Sequence, residues 1–156
     1  MVASKSIQRL GRVIAGRSVA VVFDPCPPGV NGFATWGIRT SRAPWVIVDP
    51  ARDQWAVLET LCHECLHWKS GWPQQGDHKH WADIVESVAG LPGKGGFGAP
   101  DNPVFIAEEF RVRAGAAALV GYARRFEGTL EQVADQLAAA LERGEVTIVD
   151  DIHEGV

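Results

Sequence analysis

Residues 63–67 read His-Glu-Cys-Leu-His, an HExxH pattern. On an α-helix, side chains at i and i+4 lie on one face a turn apart, so His63 and His67 can hold one Zn²⁺ between them. The carboxylate next to the first histidine flanks the position that such a metal leaves open. Zinc lowers the pKa of a bound water toward 7. Glu64 is placed to take the proton and hand it to a leaving amine. The chemistry this implies is hydrolysis of an amide bond, with Glu64 catalytic, His63 and His67 as metal ligands and Zn²⁺ as cofactor.

A catalytic zinc site takes three protein ligands and leaves the fourth position to water. The third can come from the cluster Asp77, His78 and His80, from Glu86, or from Glu108 or Glu109. Trp81, Ile84, Val85 and Val88 form an apolar stripe at helical spacing. Asp77 and His78 flank that stripe at the start of its helix, whereas His80 points about a quarter-turn away. Glu86 falls off the stripe and reads as solvated. His78 is therefore the expected third ligand. An extended pattern with a near third histidine is not met, since positions 70 and 73 are Ser and Pro. Neither His153 nor Tyr122, the two residues considered as stabilisers of an oxyanion, is marked by any pattern.

Helical phase decides how the motif is presented. Trp55, Leu58, Leu61, Cys62 and Cys65 make an apolar stripe on one side of the predicted helix 51–70. His63 and His67 project from the other side together with small Ala56, Thr60 and Ser70, which leaves room over the histidines.

The elements that must carry this helix follow from local patterns. A helix is predicted over 5–15 and a β-branched strand over 18–23, which the PCPPG turn at 25–29 ends. Two further strands are read at 33–39 and 45–49. Asp49-Pro50 is expected to close the last strand and open the motif helix. A helix over 78–89 with Asp77 as N-cap follows, then a Gly/Pro-rich stretch through 90–103. A helix is expected over 104–126, and Thr129 with Gln132 sets a capping box for a helix over 130–143 that Gly144 ends. Residues 145–149 read as a last strand. The order describes an α+β fold.

The chain has 156 residues, of which 46% are hydrophobic, enough for a real core. Lys and Arg number 15 against 19 Asp and Glu, a formal net charge of −4. That field does not attract nucleic acid or anionic membrane by itself. Nowhere do about 18 apolar residues run together, so no membrane span is expected. The first residues show no secretion signal, which points to the cytoplasm, or to the host cytoplasm for a viral product. Cys26, Cys62 and Cys65 are an odd set that argues against a disulfide framework. Cys62 and Cys65 have no second pair to complete a zinc ribbon and read as buried small hydrophobes.

Across roughly residues 5–92, the three strands, TLCHECLHW and HKHWADIVESVAGLP resemble the SprT-like (Spartan-like) zinc metallopeptidases. That family includes proteases of DNA-crosslinked proteins and bacterial and phage members. The resemblance implies a minimal zincin-like domain over 1–91; a linker at 92–103 and an α-rich extension over 104–156 follow from the Gly/Pro content and the helical pattern. Family members place their third zinc-binding His four residues before an aromatic equivalent to Trp81. That position is Asp77 here, with His78 one residue later. The family's C-terminal zinc ribbon is missing and basic character is low, so the DNA-repair role is not carried over. A weaker resemblance links Glu108-Glu109 through Ala116-Ala117-Ala118-Leu119 to the ImmA/IrrE-like peptidases, whose third ligand is a Glu on a later helix.

The expected function is that of a zinc metallopeptidase acting on a protein or peptide. The alternatives are a non-catalytic binding or structural protein of the same fold, such as a phage assembly component, and an ImmA/IrrE-like regulatory peptidase. Hydrolysis of another amide or of cell-wall peptide is a weaker third. The tail beyond residue 104 is open to three roles: covering the cleft, binding substrate or contacting a protein partner.

Overall fold

A computed structural model describes residues 1–36, 44–69 and 103–148. The fold is mixed α and β, with four helices and a three-stranded sheet among the described residues. Helix α1 spans Lys5–Ala15, strand β1 Ala20–Phe23, β2 Gly32–Trp36 and β3 Pro44–Val48. Helix α2 spans Gln54–Lys69, α3 Pro103–Ala123 and α4 Leu130–Glu142.

The sheet order is β1-β3-β2. β3 is the apolar centre, pairing parallel with β1 (Val21 opposite Val46) and antiparallel with β2 (Ala34 opposite Val46). The outer edge of β1 is covered by the first residues of the chain. The Ala3 amide donates to the Val21 carbonyl, the Phe23 amide donates to the Met1 carbonyl, and the Gln8 side chain bonds both the N–H and the C=O of Val21.

α1 begins where Ser4 caps the Ile7 amide and buries Ile7, Leu10 and Ile14 at helical spacing. α2 packs on α1 and on β2 and β3 at one side and on α3 at the other. Of the expected stripe, Leu58, Leu61, Cys62 and Cys65 are fully buried and Trp55 is partly buried. Val57, Leu66 and Trp68 are buried too, with Leu66 set beside Gly115 of α3. The Trp68 indole N–H donates to the Trp45 carbonyl at 2.9 Å, tying the end of α2 to β3. α3 contributes Val112, Ala116, Leu119, Val120 and Ala123 to the core, and α4 contributes Val133, Ala134, Leu137 and Ala138. One buried cluster thus joins all four helices and the sheet.

Two sequence expectations are corrected at element ends. α2 starts at Gln54, not after Pro50, because Asp53 is its cap: Asp53 Oδ1 accepts from the amides of Trp55 and Ala56. Asp49 is engaged elsewhere, accepting from the Cys26 and Ala51 amides. No strand forms over 145–148. Val146 and Ile148 instead pack against the core, and the β1 edge is already occupied by residues 1–3. The capping box of α4 forms as read, with Thr129 and Gln132 bonding each other's amides, and Gly144 follows its end at φ 75°. The predicted helix 78–89 and the Gly/Pro-rich stretch 90–102 lie outside the described residues. No helix among the described residues is long and apolar enough to cross a membrane.

Candidate metal centre

Two close approaches set the position of the motif helix. At Gly32, the first residue of β2, an added Cβ would lie 2.6 Å from both the Ile47 carbonyl oxygen and Thr60 Cγ2. Glycine there lets α2 press against β2 one turn before His63 and Glu64. On the other side, a Cβ at Gly115 would lie 2.9 Å from Leu66 Cδ1, so α3 runs close along α2. Glu109 stands on the buried side of α3, three residues before Val112 and seven before Ala116, and this phase turns it toward α2.

The result is a three-residue cluster of His63, His67 and Glu109 whose possible ligand atoms all lie within 4.8 Å of one another. The two Nε2 atoms are 3.3 Å apart. Glu109 aims one oxygen at each ring: Oε1 is 2.8 Å from His67 Nε2 and Oε2 is 3.4 Å from His63 Nε2. A tetrahedral ion with bonds of about 2.0–2.1 Å sets its ligand atoms about 3.3 Å apart. The donors therefore fit a small divalent cation in spacing and in kind, two imidazoles and a carboxylate. Two imidazole nitrogens this close also need a shared proton or a cation, since their lone pairs otherwise repel.

Electrostatics agree with that reading. Burial alone would raise the Glu109 pKa, but hydrogen bonds to His63 and His67, and their charges, outweigh it and hold the carboxyl well below its ordinary range. Glu64 behaves oppositely. Burial raises its pKa, and the opposing effects of His63, His67 and the Ala34 amide only partly offset that. A carboxylate raised toward neutrality is a better proton acceptor at ordinary pH than a free one.

His67 is buried and His63 half-buried. His63, Glu64 and Glu109 open onto a cleft of about 530 Å³ whose other lining residues include Gly29–Gly32, Ala56, Thr60 and Arg113. Ala56 and Thr60, expected to leave space over the histidines, do line it.

The structure thus brings together His63, Glu64 and His67 from the motif and Glu109 from the alternatives for the third ligand. Asp77, His78, His80 and Glu86 lie outside the described residues, as does His153. Tyr122 is 13 residues along α3 from Glu109, about 20 Å at 1.5 Å per residue, and its hydroxyl faces Glu145 at 3.5 Å. It is not part of this centre. Cys62 and Cys65 are fully buried free thiols. Burial pushes the Cys62 thiol up to about 12, as expected for packing rather than reactive cysteines.

The chain matches no protein-family model, no curated protein and no solved structure.

Proposed function

We propose that this protein is a zinc-dependent peptidase in which His63, His67 and Glu109 hold the metal and Glu64 is the general base. The observation that carries the reading is that Glu64 opens onto the same cleft as His63 and Glu109, with its Oε1 3.9 Å from His63 Nε2. A zinc site with a purely structural role has no need of a second, unliganded carboxylate. Zinc, when bound, would acidify a water and polarise the scissile carbonyl. Glu64 would accept the proton and return it to the leaving amine. Half-buried His63 and buried His67 keep the ligands fixed.

A peptide substrate is favoured by the element beside the site. β2 pairs with β3 on one side only among the described residues, and Gly32 at its start lines the cleft. A strand edge offers backbone groups to an extended chain.

A carboxylate as third ligand supports the ImmA/IrrE-like arrangement over the SprT-like one, in which that ligand is a histidine. The experiment is cleavage of a peptide library and of denatured casein by zinc-loaded protein, with Glu64→Gln as comparison. Glu64→Gln should keep its zinc and lose turnover by about 10²–10⁴-fold. Zinc-loaded wild type that cleaves nothing would contradict the peptidase reading and favour a binding role for the same fold.

A further inference from the structure

Amide hydrolysis builds negative charge on the carbonyl oxygen, and preorganised donors aimed at that charge are a major source of rate. We infer that Arg113 is a further catalytic residue: the cation that meets the developing oxyanion in the cleft. This rests on the peptidase reading above.

Three observations carry it. Arg113 lines the same cleft as His63, Glu64 and Glu109. It stands one turn after Glu109 on α3, and helical side chains lean toward the N-terminus, so its stem runs back over Glu109. Its Nε is 3.6 Å from Glu109 Oε2, the oxygen that also faces His63. The side chain is 75% exposed, so the guanidinium is held at the rim by one shared carboxylate oxygen and can turn to another anion. A cation held by the histidines and Glu109 would draw charge from that oxygen and weaken its pairing with Arg113. Of the described cleft residues the other cation is Arg52, which precedes the cap of α2 and lies more than two helical turns before Glu64. Arg113 is thus the cleft cation that pairs with a metal-facing oxygen. A planar fork of donors suits a tetrahedral oxyanion better than a point charge does.

The test uses the full chain loaded with zinc, and methylphosphonate as a tetrahedral oxyanion probe. Arg113→Met should bind methylphosphonate about tenfold more weakly by calorimetry, with zinc affinity within about twofold of wild type. Its kcat on denatured casein should fall about 10²–10³-fold with little change in KM, and Arg113→Lys should recover part of both losses. A zinc affinity that falls as far as the phosphonate affinity would overturn the assignment, because Arg113 would then act by positioning Glu109. Unchanged phosphonate binding and kcat in zinc-replete Arg113→Met would overturn it while leaving the peptidase reading in place. A wild type that binds no zinc would bring down both.

Discussion

Two imidazole nitrogens 3.3 Å apart need a shared proton or a cation between them, and Glu109 supplies negative charge that favours either. Glu109→Gln keeps the shape and removes the charge. Zinc affinity measured by competition with a chromogenic chelator should drop at least about 100-fold, with the helical circular dichroism unchanged. An affinity within about threefold of wild type would show that Glu109 is only a neighbour. The same atoms explain what was legible in the sequence. His63, Glu64 and His67 declare themselves because one helix fixes their relation over five residues. Glu109 is 42 residues from His67, and no local rule connects them. A signal does exist, since Glu109 continues the stripe of Val112, Ala116, Leu119 and Ala123. It becomes useful only once α3 is known to pack on α2. His78, expected as third ligand from the phase of its own predicted helix, lies outside the described residues.

At the scale of elements, the site depends on how closely α3 lies along α2. Gly115 permits that approach, with Leu66 filling the space beside it. Gly115→Leu would force the helices apart, and overpacking of this kind costs roughly 1–3 kcal/mol. Glu109 should retreat from the histidines, with zinc affinity falling about tenfold or more in a protein that still folds. The check is chelator competition alongside a urea titration, and unchanged affinity would mean that the two helices adjust without moving the ligand. Element existence was readable for α1, α2, α3, α4 and all three strands, because stripes, caps and β-branched runs are local. Residues 145–148 form no strand: Val146 and Ile148 pack against the core instead, and the β1 edge is taken by residues 1–3. The start of α2 differs from the expectation because Pro50 suits a first helical turn, while the fold caps the helix with Asp53 and engages Asp49 with the Cys26 and Ala51 amides.

At the scale of the whole molecule, the core is continuous from α1 to α4, and the metal ligands come from both sides of the segment 70–102. A fragment ending at residue 102 lacks Val112, Leu119, Val133 and Leu137 as well as Glu109. It should fail to give a cooperative unfolding transition, and a stable folded fragment would contradict a shared core. The buried thiols report on the same core. In native protein one thiol per chain, that of Cys26, should react with an aromatic disulfide reagent, rising to three after denaturation, since Cys62 and Cys65 are fully buried. Zinc should also tie the two halves together. At a free concentration about 100 times its Kd it adds about 2.7 kcal/mol, which for a chain of this size raises Tm by roughly 5–10 °C. A Tm that ignores a chelator would argue that the centre holds no metal.

The most direct test of the account is the zinc content per chain of purified wild type and of His67→Ala, Glu109→Ala and His78→Ala, measured by elemental analysis after reconstitution. The account predicts one zinc in wild type, none in His67→Ala or Glu109→Ala, and one retained in His78→Ala. Zinc lost with His78→Ala but kept with Glu109→Ala, or absent from wild type altogether, would contradict it.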